Sequence, residues 1–238
     1  MPNTMAARGS DKKVPRRKAG PSGVQLGEAN VRAMILGGGA IVFAKLGVRA
    51  VSVQDILTAS GVSRRTFYRF FESKEDVMVA LYGFGTDMLL ARCRLGMESE
   101  TEPMQQILQG IEAHLRNARE QSRLMFVLGG EAHRQESPLH ARRMQVHEEL
   151  AALFAGDAER GGKRADPLLY RALVLALEGV TRLVLEEGDE GRDVSDASID
   201  RARKVMARLA TAALAGEGPD VVPLPARRRS RSGSTPRE

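Results

Sequence analysis

The sequence predicts an all-α protein, and three observations carry that prediction. Only 4% of the 238 residues are aromatic and none is Trp, while Ala, Leu, Glu and Arg recur throughout. That bias favours helices over a β-sandwich or barrel. Apolar residues return at three- and four-residue spacings along most of the chain, with no alternating strand pattern and no internal repeat. Helix-starting serines and helix-ending glycines punctuate the N-terminal third.

Residues 1–26 and 217–238 are rich in Pro, Gly, Ser and Arg without apolar periodicity, and they read as disordered basic tails. The first helical pattern runs from Glu28 to Leu46, with Val31, Ile35, Ile41, Val42 and Leu46 as its apolar positions. Gly37, Gly38 and Gly39 sit in its middle, each weakening a helix by about 1 kcal/mol relative to Ala. A helix that survives them needs compensating packing, such as the close approach of another helix.

Three serine-led starts follow. Ser52 with Asp55 and Ser73 with Asp76 match a capping box with Asp in place of Glu, and Ser63 supplies a cap alone. Gly61 can adopt the left-handed conformation that ends a helix sharply. The result is a helix over 53–59, a tight turn and a helix over 64–71. Val53, Ile56, Leu57, Val62, Phe67, Phe70 and Phe71 are available as the small core of this helix-turn-helix. Longer helices follow over 74–95, 103–119, 123–135, 138–160, 167–187 and 195–215, three of them opened by Pro103, Pro138 and Pro167.

Charge is unevenly placed within a formal net of +6. Up to Asn30 six cations stand against Asp11 and Glu28. From Val31 to Glu75 seven stand against Asp55, Glu72 and Glu75. The C-terminal tail adds five arginines, so the body between 76 and 215 is net negative. A basic end on an acidic body suits a polyanion met by that end alone. A single cysteine, Cys93, excludes an internal disulfide framework and a Cys-rich zinc site. No apolar run reads as a membrane span and no signal-type segment opens the chain, so the sequence reads as cytoplasmic, with no membrane partner.

The helix over 64–71 concentrates the chemistry. Phe67, Phe70 and Phe71 fall on one side, while Arg64, Arg65, Tyr68 and Arg69 occupy much of the other. Guanidinium forks presented outward suit the O6 and N7 acceptors of guanine in a major groove. Tyr68 can reach a phosphate, and Lys74 adds charge beside the free amides of the next helix start.

The run SVQDILTASGVSRRTFYRFFESKEDVMVAL, Ser52 to Leu81, resembles the DNA-binding signature of TetR-family transcriptional regulators, with Phe43 and Gly47 extending the likeness backward. The triple glycine departs from that family's Ala-rich first helix. The resemblance implies an all-α homodimer with a three-helix DNA-binding domain, here 27–73, and a larger ligand-binding and dimerisation domain, here 74–216. Carried over residue by residue, Arg64, Arg65 and Arg69 would face base edges or nearby phosphates. Thr66, Tyr68, Lys74 and the capped starts at Ser52 and Ser63 would hold the DNA backbone. The expected partners are a double-stranded DNA operator, a second copy of the chain and a small-molecule effector; the expected activity is repression.

The larger domain is less specific. His114, His133, His140 and His147 lie in its central stretch without a metal-binding spacing; they read first as scattered polar-face residues, with an effector-contacting His or Arg as the next reading. Leu108, Ile111, Leu115, Met125, Phe126, Leu128 and Leu153 could line a cavity or simply form core. Leu168, Leu169, Leu173, Leu177, Val180, Val184 and Leu185, with Gly179 for close crossing, suggest a dimer surface completed by Val205, Leu209, Ala212 and Ala213. No phosphate loop, nucleophile motif or spaced acid pair appears, so no enzyme, cofactor or metal site is assigned. Two rival readings draw on the same residues. A nonspecific DNA-coating protein predicts steep salt dependence without sequence preference. A helical binding module with a vestigial helix-turn-helix predicts no DNA affinity.

Overall fold

The computed structural model describes residues 23–120, 122–160, 166–187 and 194–214. Among these residues the regular structure is all helix: α1 Gly23–Leu46, α2 Val53–Ser60, α3 Arg64–Phe70, α4 Lys74–Glu98, α5 Pro103–Glu120, α6 Ser122–Ala132, α7 His140–Arg160, α8 Pro167–Glu187 and α9 Asp196–Leu214. The expected elements all occur, with shifted ends. The first helix begins at Gly23, so residues 23–26, expected in the tail, are helical. The other tail residues, 1–22 and 217–238, lie outside the described residues. Pro138 falls in the turn before α7, not in its first helical turn.

The triple glycine is explained by what packs against it. A Cβ on Gly38 would stand 2.7 Å from the Ser60 nitrogen at the end of α2, and one on Gly39 would stand 2.7 Å from Val77 Cγ1 of α4. These two glycines let α1 seat against both neighbours; Gly37 faces open space. Over Gly27–Leu46, α1 is long and apolar enough to cross a membrane by composition, at a mean hydropathy of 1.3. Its Ile35, Val42 and Phe43 are nonetheless buried in the domain core, and Arg32 lies over the Phe71 ring at 5.2 Å.

Two cores divide the described chain. The smaller gathers Ile35 and Phe43 of α1, Ile56 and Leu57 of α2, Phe67 and Phe71 around α3, and Val77, Met78 and Tyr82 of α4. Leu128, Ala132 and Leu139 from α6 and the α6–α7 turn also enter it. The larger core lies among the later part of α4, α5, α7, α8 and α9, with Cys93, Ile111, Phe154, Val174 and Met206 among its members. The α4 helix serves both cores. Arg123 Nε of α6 donates to the Ala44 carbonyl at 2.9 Å, a second tie between α6 and α1.

Candidate DNA-reading face and ligand cavity

Local chemistry builds the face. The Ser52 hydroxyl accepts from the Asp55 amide at 3.3 Å, and the Asp55 carboxylate accepts from the Ser52 amide at 2.8 Å. Ser52 Oγ also donates to Asp55 at 2.6 Å, and these bonds from Ser52 hold the Asp55 carboxyl below its usual range. At the far end of α2, Gly61 takes φ +69°, and its amide donates to the Leu57 carbonyl at 3.0 Å. Ser63 then caps α3, accepting from the Thr66 amide at 3.1 Å. The third start repeats the first: Ser73 and Asp76 form a full capping box.

This turn chemistry fixes how α3 is presented. Phe67 and Phe71 are buried, while Phe70 is only half-buried beneath the Arg69 guanidinium at 4.9 Å. Ser52, Ser63, Arg64, Arg65, Tyr68 and Arg69 are exposed, and Thr66 is half-buried behind its cap. Three arginines and a tyrosine therefore share one outward face without an acidic residue among them. Arg64 donates to Gln54 Oε1 at 3.0 Å, which ties the start of α3 to the start of α2.

Lys74 has another task. Its ammonium donates to the carbonyls of Val51 at 2.6 Å, Val48 at 3.1 Å and Arg49 at 3.5 Å. All three ammonium hydrogens are used inside the chain, closing the α1–α2 connection onto α4. Its charge remains near the face.

In the larger domain a cavity of about 100 Å³ opens among α4, α5, α6, α7 and α8. Leu89, Ile111, Phe126, Phe154, Val174 and Leu185 make much of its wall apolar. Of the residues expected to line a cavity, Ile111, Met125 and Phe126 do so; Leu128 belongs instead to the smaller core.

The cavity's polar groups were invisible as a set in the sequence. Glu178 of α8 accepts from Arg143 Nε of α7 at 2.8 Å and from a second nitrogen of the same guanidinium. His147 Nε2 lies 3.3 Å from the same carboxylate, and His133 Nε2 lies 3.6 Å from it. Burial alone would raise the Glu178 carboxyl. Hydrogen bonds from His147 and Arg143, with their charge, outweigh burial and bring it down to about 2. His114 Nε2 of α5 meets Thr181 Oγ1 of α8 at 2.7 Å. Burial pushes the His114 imidazole down to about 4, against a smaller opposing pull from Glu178. His114, His133 and His147 thus gather at one cavity, where the sequence suggested scattered polar faces. A signal was present: Glu178 and Thr181 interrupt the otherwise apolar run around Leu173, Val174, Leu177 and Val184.

Outward apolar residues of α8 and α9 form a separate surface. Leu168, Leu175 and Leu183 are 69%, 50% and 63% exposed on α8, with Val205 and Leu209 exposed on α9. Leu173, Leu177, Val184 and Leu185, expected at that surface, are buried in the subunit's own core. Gly179 lies on the outward side, with nothing near its missing Cβ.

Residues 35–81 match the family model described as bacterial regulatory proteins, tetR family. The chain is also 36% identical over 72 residues to the HTH-type transcriptional repressor KstR2 of Mycobacterium tuberculosis. Residues 35–81 therefore carry the DNA-binding signature of the TetR family. The KstR2 match covers 30% of this chain and 36% of that repressor. Likeness of fold reaches further. A TetR-family transcriptional regulator from Syntrophomonas wolfei superposes with a TM-score of 0.64 at 16% identity, covering 82% of this chain and 99% of the other. The fatty acid degradation regulator FadR from Bacillus halodurans gives 0.62 at 19% identity, covering 74% of this chain and 97% of the other. At these identities the TetR fold is the shared property.

Proposed function

We propose that this protein is a TetR-family, ligand-responsive transcriptional repressor that binds a palindromic operator as a homodimer in the cytoplasm. The observation that carries the reading is the α3 face. Arg64, Arg65, Tyr68 and Arg69 are exposed together on a helix whose start is capped and whose other side is anchored by Phe67. Such a helix can enter a major groove with its guanidinium groups toward base edges. KstR2 supports repression as the direction of control.

Two further observations support dimerisation and ligand response. Leu168, Leu175, Leu183, Val205 and Leu209 leave an apolar surface suited to a second copy. The α6 helix has Met125, Phe126 and His133 at the cavity, and Leu128 and Ala132 in the smaller core. A ligand that moves α6 would therefore shift the packing beneath α1.

The test is selection of bound fragments from a genomic DNA library by the purified protein. An inverted repeat should recur, its half-site centres about 34–36 Å apart or near that. Binding without sequence preference, with steep salt dependence, would favour a DNA-coating protein instead. Sedimentation before DNA is added should show a dimer; a monomer would remove the role given to α8 and α9.

A further inference from the structure

We infer that the cavity takes an uncharged, largely apolar molecule bearing a hydroxyl group, and that His114 Nδ1 is the acceptor for that hydroxyl. The inference rests on reading the cavity as the effector site, and it deepens that reading by naming the ligand's chemistry.

The charged groups in the wall are already matched. Arg143 and Glu178 hold each other through two bonds, and Arg182 pairs with Glu186 while lying 6.0 Å over the Phe126 ring. Neither arginine offers an unmatched charge to an anionic ligand. An ionic ligand would leave water for a mostly apolar wall without a free counter-charge, which is strongly unfavourable.

Hydrogen placement then selects the polar group. Thr181 has one hydroxyl hydrogen, and it goes to the Leu177 carbonyl at 3.0 Å. With that hydrogen on the Leu177 carbonyl, the Thr181 oxygen accepts from His114, which places the imidazole hydrogen on Nε2. The imidazole is neutral at physiological pH, since burial holds it near 4. Nδ1 is therefore a lone pair on a residue that lines the cavity and keeps part of its surface accessible. It needs a donor, and a carboxylate has none.

A second imidazole agrees. His147, also in the wall, is only 8% exposed; Glu178 takes its Nε2, and its Nδ1 has no partner. A hydroxyl can both donate and accept, so it answers an orphan ring nitrogen in either protonation state. A carboxylate or an ammonium answers only one.

Two probe sets that differ only in head group test this: naphthalene, 2-naphthol, 2-naphthoate and 2-naphthylmethylammonium, then 1-decanol, decanoate and decylammonium. Calorimetric binding to the full chain should favour the alcohol about tenfold over the matched ions on a skeleton that binds. His114→Phe should erase the preference for 2-naphthol over naphthalene. Nitrogen-15 spectra of the wild-type histidines give a readout independent of that variant's folding. His114 should show hydrogen on Nε2 and a lone pair on Nδ1, with Nδ1 shifting when the alcohol is added. Hydrogen on His114 Nδ1, or an ion bound as tightly as its alcohol, overturns the hydroxyl assignment and leaves the cavity reading standing. No binding by any member of either set overturns both.

Discussion

Gly38 of α1 lies so close to Ser60 at the end of α2 that an added Cβ would meet the Ser60 nitrogen at 2.7 Å and its Cα at 2.9 Å. Ser60 cannot easily move aside. Its hydroxyl is buried on the Ile56 carbonyl at 2.7 Å, and the next residue is the left-handed Gly61 that sets the turn into α3. The glycine in α1 thus determines how closely the α2–α3 unit packs on α1. Gly38→Ala should lower stability by about 2–3 kcal/mol through overpacking against backbone. Gly37→Ala, with nothing near its Cβ, should instead raise stability by up to about 1 kcal/mol through helix propensity. Urea unfolding of both variants checks the contrast, and equal effects would refute the packing account.

Lys74 joins the end of the α1–α2 connection to the start of α4 through three carbonyls. Lys74→Met keeps much of the aliphatic stem and strands those acceptors. Stability should fall by about 2–3 kcal/mol, because hydrogen bonds from a charged donor are lost in a partly buried place. Operator and random DNA should weaken by similar factors, since Lys74 presents no free hydrogen to a base. A variant of unchanged stability but poorer DNA affinity would restore a direct phosphate role.

Arg65 is exposed on α3, with no acidic partner on that helix. Arg65→Ala should leave the circular-dichroism spectrum unchanged and weaken specific operator binding by about 1–3 kcal/mol if the side chain holds a base edge. Random DNA should lose far less. Parallel titrations on the selected operator and a scrambled duplex measure both, and unchanged affinity for each would remove the base-reading role.

The parts legible in the sequence are those set by neighbours along the chain. Ser52 with Asp55, Ser63 with Thr66 and Gly61 lie within one helical turn of what they bond, so their spacing reveals their geometry. The Gly37–Gly39 run signalled a close approach but could not name Ser60 and Val77 as the neighbours. The cavity was hidden for the same physical reason. His114 meets Thr181 across 67 positions and Arg143 meets Glu178 across 35, so only the packing of α5, α7 and α8 brings them together. Periodicity also could not tell which leucines of α8 face inward: both sides of that helix are apolar, and α9 and α7 decide.

Acid should expose the buried His114 before it exposes Glu178. In the unfolded chain His114 takes a proton near its ordinary 6.5, whereas in the folded protein burial delays that to about 4. Between those values the unfolded chain holds more protons, so stability rises with pH across this window. Its contribution is complete above about 6.5 and is lost as pH falls toward 4. The full shift corresponds to roughly 3 kcal/mol at most, since each pKa unit is worth about 1.4 kcal/mol. Glu178 behaves differently. Its carboxyl falls from 4.5 unfolded to about 2 folded, so its contribution is present above 4.5 and is lost below that. Urea midpoints taken at pH 7, 5.5, 4.5 and 3.5 should therefore fall in two stages. His114→Phe should flatten the stage above pH 4.5 and leave the lower one in place. Should the variant lose stability with the same profile as wild type between pH 6.5 and 4.5, a group other than His114 governs that window.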